Sequence, residues 1–473
     1  MLIFKSRDNK FIKVIDCNMK KLLVFILTSC LFSNILYASD LPKEFNQFLF
    51  EKGLTKKINI CKEEKQYSKK WFDAGCENRP GGVFKEVNDL DIKRYKDRAN
   101  IPWDGKPNRD TLFFYAWKYL DDDAGFEKIG SEPSNNPYKF EFDLRENKDV
   151  NKEILNSGLL SYLLYEDGKI VVDKKTPKDR FGALFDDTTR WTSASVGKSM
   201  VSYVVGHAIC DGYIESLDTK INDWPLIENS LYHDQKLIDL LNMAAGDQKY
   251  SKTDLTKGKK WHKNPNRNTV KFHMKEGIFK NTKGKKSKSK YNYSNVVSNI
   301  VINYVWFKSQ GNFEKLLEKI FKDKAKVANS VHFLMHDKDS VQGNYNVTEN
   351  DGPIRYSFNA TRYDYLRIAK AMLEDWQNDT CAGKFLKTLY QNKIPRNEKW
   401  KDDNSPALNP KSYSGFFYFD YSGLKNKPVM GMDGYGGQSI LIDFEKSRII
   451  VINSIHTDYN WKKIAHSVIK KGK

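Results

Sequence analysis

The sequence of 473 residues lacks any apolar run that approaches the roughly 20 residues of a membrane-spanning helix once its first 38 residues are set aside. We therefore expect no transmembrane helix in the mature chain. From Met19 the sequence has a basic start, a short apolar segment and a small residue at Ala38, which is the pattern of a secretory signal peptide. We predict a signal peptide over residues 1–38, in which residues 1–18 are an N-terminal extension or a misassigned start.

Cysteine is scarce, with six residues at positions 17, 30, 61, 76, 210 and 381. Cys30 ends a segment that resembles a bacterial lipoprotein box, so the exported protein is expected in the periplasm either as a soluble chain or with a lipid on Cys30. Cys61 and Cys76 flank a polar stretch and could form a disulfide in an oxidising compartment, although two free thiols remain an alternative. Cys210 lies in an apolar helical pattern and is predicted to be a core residue.

Acidic residues are too few to balance the basic ones, with 60 Asp and Glu against 79 Lys and Arg and a net charge of +19. The excess is concentrated in residues 251–290, which hold fourteen basic residues and two acidic ones. We interpret this run as a solvated, mobile loop, and its alternative role is attraction of an anionic substrate or an anionic envelope polymer. Export argues against nucleic acid as a partner.

Motifs for two kinds of bound group, a nucleotide and a zinc ion, are incomplete in this sequence. Gly197-Lys198-Ser199 looks like the end of a nucleotide phosphate loop, but that loop needs a glycine five residues before Gly197, where Thr192 stands. His332 and His336 are four residues apart and could share a helical face, but no glutamate lies between them as in zinc proteases. The sequence therefore predicts neither a cofactor nor a catalytic metal.

The order of apolar patterns indicates a mixed α/β (α+β) fold. A hairpin pattern begins at Leu159, helical patterns fill the middle of the chain, and three strand patterns precede a closing amphipathic helix. This order predicts an antiparallel sheet formed by N- and C-terminal strands, with a mostly helical insertion between them. Residues 39–155 are rich in turn signals and are expected to be an N-terminal extension of unknown role.

Ser195 and Lys198 form a Ser-x-x-Lys pair at the predicted start of a helix. The same spacing begins at Ser287, Ser422 and Ser467, so the context must distinguish among the four. A helix places positions i and i+3 on one face, and its N-terminus adds positive potential where an oxyanion would form. The position of Ser195 at a helix start therefore favours it as a nucleophile.

A second polar segment, Tyr293-Ser294-Asn295, lies between the basic run and an apolar helical pattern. Tyr293 is predicted to share proton transfer with Lys198, whose positive charge could favour the phenolate form of the tyrosine. Asn295 is expected to orient Lys198 or the amide of the substrate. Tyr-x-Asn also arises by chance in this chain, at Tyr390, so the motif alone is weak evidence.

A third segment, Tyr435-Gly436-Gly437, precedes a strand that is predicted to begin at about Gln438. Glycines before a strand allow backbone and substrate to approach closely, and a strand edge can pair with an extended acyl group. We expect the Gln438 N–H to be the second oxyanion donor, opposite the Ser195 N–H.

Taken in this order, the three segments resemble the penicillin-recognising serine hydrolases. The resemblance covers about residues 156–470 and is to the branch with class C β-lactamases, D-alanyl-D-alanine carboxypeptidases, esterases and 6-aminohexanoate-dimer hydrolase. It implies a β-lactamase-like fold for a hydrolase domain over residues 156–473. It also implies an acyl-enzyme on Ser195 formed during cleavage of an amide, peptide or ester bond.

One departure from the family concerns Tyr435, because β-lactamases carry Lys-Thr-Gly where this chain has Tyr-Gly-Gly. The cation that meets the carboxylate of a β-lactam is therefore missing, which favours a small-molecule or peptide-like amide or ester substrate. The alternative function is a non-catalytic envelope module of the same fold that binds peptidoglycan-like ligands.

Overall fold

The computed structural model describes residues 69–70, 127–177, 185–248, 250, 269–276, 279–284, 290–335, 351–396, 408–424, 427–454 and 462–471. No helix within these ranges is long and apolar enough to cross a membrane. The predicted signal peptide, the lipoprotein cysteine Cys30 and the Cys61–Cys76 pair lie outside the described residues, and these expectations stay predictions.

The described residues form two sheets. The strands are β1 (Glu127–Ser131), β2 (Glu141–Phe142), β3 (Leu159–Glu166), β4 (Lys169–Lys175), β5 (Arg190–Thr192), β6 (Val331–Met335), β7 (Ile354–Thr361), β8 (Ile394–Pro395), β9 (Pro410–Ser414), β10 (Phe417–Tyr421), β11 (Val429–Gly434), β12 (Gln438–Asp443) and β13 (Arg448–Ser454). The larger sheet has the order β2-β4-β3-β13-β12-β11-β10-β9-β8, and the smaller has the order β1-β6-β7-β5.

The α-helices connect and cover these strands. They are α1 (Lys148–Asn156), α2 (Val196–Cys210), α3 (Leu237–Leu241), α4 (Asn295–Ser309), α5 (Phe313–Glu318), α6 (Arg362–Gln377), α7 (Cys381–Gln391) and α8 (Lys462–Lys471). Side-chain caps fix several starts, since the Thr361 side chain accepts from Asp364 N–H at α6 and the Thr380 side chain accepts from Gly383 N–H at α7.

The larger sheet is covered on both faces. Its central strands β3, β12 and β13 are buried at every residue, which requires apolar partners on each side. Helices α1 and α8 pack on one face, where Ile154 and Ile469 share a core with Leu441 and Ile450. Helix α6 packs against β3, β12 and β13 on the other face. The predicted antiparallel sheet of N- and C-terminal strands with a helical middle region is confirmed.

Residues 127–142, which the sequence assigned to the N-terminal extension, add strands to both sheets. Strand β1 pairs antiparallel with β6, and β2 pairs parallel with β4. His332 lies in the strand β6 and not in a helix, which removes the possibility of a shared helical face with His336, and His336 itself lies outside the described residues.

A disulfide joins Cys210, the last residue of α2, to Cys381, the first residue of α7. Their Cα atoms are 5.8 Å apart, within the range that a disulfide spans. The expectation that Cys210 is simply a core residue is therefore wrong. Its partner is 171 residues away in sequence, a distance over which local patterns carry no information on pairing.

Part of the basic run is packed against the body of the protein. Val270, Phe272 and Phe279 are buried, and the Val270 N–H donates to the Gly352 carbonyl at 3.0 Å. For residues 269–276 and 279–284 the interpretation as a solvated, mobile loop is wrong, because their apolar side chains contribute to the core. Most of the lysines of the run lie outside the described residues.

Candidate active site

Ser195 lies at the N-terminal end of α2, directly after β5 and a short turn. Two hydrogen bonds tie this turn to β7, from Ser193 N–H to Phe358 O at 2.7 Å and from Phe358 N–H to Ser193 Oγ at 2.9 Å. Between the two serines, Ala194 has a φ of +45°, which is rare for a residue with a side chain. The turn is therefore held in a costly conformation by its neighbours, as is common at functional sites.

Gly197 allows the first turn of α2 to touch β7. A Cβ at this position would lie 2.1 Å from the Tyr356 carbonyl oxygen and 2.6 Å from Ser193 Oγ. A real side chain would have to push the strand away. This close approach is the structural reason for the glycine that looked like part of a phosphate loop.

The amine of Lys198 contacts the hydroxyl of Ser195. The distance from Lys198 Nζ to Ser195 Oγ is 2.9 Å, and the lysine is only 1% exposed. Ser195 holds the N-cap position without making a capping hydrogen bond, so its hydroxyl is directed to the lysine instead. Burial holds the pKa of Lys198 well below its usual range, which favours the neutral, proton-accepting amine.

Tyr293 is the third group of this cluster. Its hydroxyl shares a hydrogen bond with the Ser195 side chain, and Lys198 Nζ lies 4.7 Å from the centroid of its ring. Desolvation of the hydroxyl, and then the neighbouring Tyr356, raise the pKa of Tyr293, although 38% of the whole residue is exposed. This direction favours the protonated phenol over the phenolate that the sequence suggested, and a protonated Tyr293 beside Ser195 can donate a proton.

The segment that carries Tyr293 is anchored by the chain near Met243. Asn292 N–H donates to the Met243 carbonyl at 2.7 Å, and Ser294 N–H points to the sulfur of Met243 at 3.4 Å. A few residues later, the buried Asp247 accepts a hydrogen bond from Tyr232 Oη at 2.9 Å. The two contacts with Met243 hold the loop that carries Tyr293.

Asn295 and a tyrosine that the motifs did not indicate complete the pocket around Lys198. Asn295 Oδ1 accepts a hydrogen bond from Tyr356 Oη at 3.2 Å, and the Tyr356 ring lies under Lys198 Nζ with its centroid 3.5 Å away. Asn295 is thus placed beside the lysine pocket through Tyr356. Tyr356 lies in the middle of β7 and belongs to no recognisable motif, so no signal in the sequence singled it out.

The end of β11 lies beside the nucleophile. A Cβ on Gly434 would lie 2.5 Å from the Ser193 carbonyl oxygen and 3.3 Å from Ala194 Cβ. Tyr435, Gly436 and Gly437 turn the chain into β12, and both glycines have φ above +80°. The Tyr435 side chain is 53% exposed at this turn. The predicted glycine segment is therefore brought to Ser195, with β11 rather than β12 nearest to it.

Gln438 does not face the nucleophile as expected. Its strand β12 lies between β11 and β13, so its backbone groups point along the sheet to neighbouring strands. Its side chain donates to the Ser454 carbonyl and accepts from Asn453 Nδ2 at 3.1 Å. Gln438 lines a small cavity behind the nucleophile turn together with Ser193.

The direction of the β11 backbone indicates a second oxyanion donor other than the Gln438 N–H. The Gly434 carbonyl accepts from Gly437 N–H at 3.2 Å across the turn, so the Gly434 backbone groups face β12. Backbone groups alternate in direction along a strand, and those of Asp433, the preceding residue of β11, therefore point to the opposite edge. The strand predicted to begin at about Gln438 does begin there, as β12, but the end of the neighbouring strand β11 is what lies beside the Ser195 turn, and that strand is not among those predicted from the sequence.

Among the described residues, no group of His, Cys, Asp or Glu side chains is arranged to hold a metal ion. The polar groups around Ser195 are an amine, phenols and an amide. This set can move protons and support a nucleophilic serine.

No family model matches this chain, and neither does any curated protein. Solved structures do resemble it. A Bacillus anthracis protein described as a 6-aminohexanoate-dimer hydrolase aligns with a TM-score of 0.51 and 12% identity, over 79% of this chain and 96% of that one. FmtA from Staphylococcus aureus aligns with a TM-score of 0.46 and 17% identity, over 72% of this chain and 94% of that one.

The solved structures that this chain resembles are β-lactamase-like and penicillin-binding-protein-like serine hydrolases. Their sequence identity to this chain is low, and the likeness concerns the arrangement of strands and helices. The protein has the β-lactamase-like fold, with antiparallel sheets flanked by helices.

Proposed function

We propose that this chain is an exported serine hydrolase that cleaves an amide, peptide or ester bond through an acyl-enzyme on Ser195. The observation that carries the proposal is the buried amine of Lys198, 2.9 Å from the hydroxyl of a serine at the start of a helix. A buried lysine without a role is costly, because burial penalises its charged form. The contact of Lys198 with Ser195 explains why a buried lysine is present, because its amine can accept the proton of the serine.

In the proposed acylation step, the neutral amine of Lys198 takes the proton of Ser195 while Oγ attacks the carbonyl carbon. The negative charge that develops on the carbonyl oxygen is accepted by the backbone N–H of Ser195 and, from the edge of β11, by that of Asp433. Tyr293 donates its proton to the leaving nitrogen or oxygen and regains one from Lys198. Water then attacks the acyl-enzyme by the same steps in reverse, which releases the acid and restores Ser195.

Two features support export. The stretch from Met19 has the pattern of a secretory signal, and the disulfide between Cys210 and Cys381 is of a kind that forms and persists in oxidising compartments. We place the mature protein in the periplasm, either soluble or with a lipid on Cys30.

An anionic envelope polymer is a proposed partner of residues 251–290. Within the described part of the run, Lys271 pairs with Asp351 at 2.6 Å and Lys283 approaches Glu228 at 3.7 Å. Their charges are partly neutralised by the protein itself. The remaining basic residues of the run would have to supply the attraction.

A fluorophosphonate probe tests the proposal without knowledge of the natural substrate. We expect it to label the parent protein and a Ser467→Ala variant, but not Ser195→Ala. Ser467 is a matched control because it lies three residues before Lys470 within helix α8, and so repeats the spacing of Ser195 and Lys198. If the folded parent is not labelled but binds peptidoglycan fragments, the non-catalytic envelope module is the better account.

A further inference from the structure

Helix α4, which begins at Asn295, holds strand β7 through three asparagines spaced one helical turn apart. Asn295 Oδ1 accepts from Tyr356 Oη at 3.2 Å, and Asn299 Oδ1 accepts from Tyr356 N–H at 3.0 Å. Asn303 bonds both backbone groups of Ile354, accepting from its N–H at 3.0 Å and donating to its carbonyl at 2.8 Å. Residues at i, i+4 and i+8 lie on one face of a helix, so the three amides act as a row against the strand.

The same strand holds the nucleophile turn from its other end. Phe358 exchanges two hydrogen bonds with Ser193, and the Tyr356 carbonyl rests against Gly197 in the first turn of α2. Strand β7 therefore connects the helix of the Tyr-x-Asn motif to the turn that carries Ser195. Tyr356 is the residue of this strand that reaches both.

The side chain of Tyr356 also meets the amine of Lys198. The distance from Lys198 Nζ to the ring centroid is 3.5 Å, shorter than the 4.7 Å from the same nitrogen to the Tyr293 ring. A lysine side chain has four flexible carbons, and an ammonium over an aromatic face is attracted by the electrons of the ring. The titratable groups recorded around this amine are the Tyr356 and Tyr293 phenols, together with the Ser195 hydroxyl.

We propose that Tyr356 is a positioning residue of the Ser195 hydrolase, with separate tasks for its ring and its hydroxyl. The ring holds the amine of Lys198 in line with Ser195 Oγ, and the hydroxyl fixes the amide of Asn295 at the rim of the same pocket. The inference rests on the proposed roles of Ser195 and Lys198. It assigns a function to a residue outside the three motifs.

Tyr356→Phe and Tyr356→Leu separate the two tasks, and the readout is the rate of fluorophosphonate labelling as a function of pH. In Tyr356→Leu the ammonium form of Lys198 loses the ring, so the pH midpoint of the acid limb should fall by about 0.4 to 1.5 units. Its plateau rate should also fall, roughly tenfold or more, because the amine is less well directed. Tyr356→Phe should keep the midpoint and lose only about fivefold in rate through the missing bond to Asn295.

Tyr390→Phe is the control, since Tyr390 belongs to the chance Tyr-x-Asn segment in α7 and should leave both quantities unchanged. The proposal is wrong if Tyr356→Leu keeps the parental pH midpoint of labelling. This includes a variant that labels more slowly by the same factor at every pH and also melts at a lower temperature, because such a variant has only lost stability. If Tyr356→Leu does not fold, Tyr356→Met is measured against Tyr356→Phe by the same criterion. Failure of the hydrolase proposal looks different, because the parent itself would then not be labelled.

Discussion

Gly197→Ala tests whether the contact between α2 and β7 positions the reactive serine. An added Cβ would lie 2.1 Å from the Tyr356 carbonyl oxygen, whereas a relaxed contact needs roughly 3.5 Å. Helix and strand would have to separate by about 1 Å or more. The oxygen belongs to a strand held by Asn299 and Asn303, so it cannot move as a side chain would.

The expected effect has a stability part and a rate part. Overpacking of this kind costs about 1–3 kcal/mol, and the better helix propensity of alanine offsets about 1 kcal/mol of it. We therefore expect a thermal midpoint lower by a few degrees. A shift of about 1 Å between Lys198 and Ser195 should slow fluorophosphonate labelling roughly 100-fold, far more than the loss of stability explains.

Gly206→Ala is the matched control in the same helix. A Cβ at Gly206 would lie 2.6 Å from the ring of Phe385, and a side chain can rotate where a backbone carbonyl cannot. This variant should label within a few-fold of the parent rate. A Gly197→Ala protein that labels and unfolds like the parent would show that the close approach of β7 has no part in positioning Ser195.

Three further variants test the chemistry. Lys198→Met should abolish fluorophosphonate labelling. In the parent the labelling rate should rise with pH and level off well below the ordinary pKa of lysine, because the neutral amine is the active form and burial lowers its pKa. A labelling rate that rises only near the ordinary pKa of lysine would contradict this role. Tyr293→Phe should slow ester and amide turnover by roughly 100-fold while Tyr390→Phe does not, and equal effects would argue against Tyr293 as the proton donor. In the parent a neutral ester should have a higher kcat/KM than a cephalosporin. Tyr435→Lys should reduce the ratio of these two kcat/KM values by roughly 10- to 150-fold, the value of one charge-assisted hydrogen bond. A parent protein that prefers the cephalosporin would refute the argument from Tyr435.

The parts of the site that depend on local geometry could be predicted from the sequence. Ser195 and Lys198 are three residues apart at a helix start, and that spacing alone places an amine near a hydroxyl. The order of strand and helix patterns was enough to predict the antiparallel sheet and its helical middle region. Local periodicity determines both results.

The parts that depend on contacts between distant segments could not be predicted. Tyr356 approaches Lys198 only because β7 pairs with β5, and Cys210 meets Cys381 only because α2 packs against α7. The direction of the Tyr293 pKa shift could not be predicted for the same reason. The motifs suggested Lys198 as a neighbour of Tyr293, but the desolvation that raises the pKa of the tyrosine exists only in the folded chain.

The distribution of costly features along the chain favours the hydrolase over the binding module. Within five residues, Ala194 has a positive φ and Lys198 is buried, while Ser195 leaves its N-cap bond unmade. An alanine in the left-handed region costs about 1 kcal/mol, and the missing cap costs about as much again. A module that only binds a ligand has no need for an amine in contact with a serine hydroxyl. Strain of this kind is common at functional sites, and here, held in place by β7, it supports the proposed catalysis at Ser195.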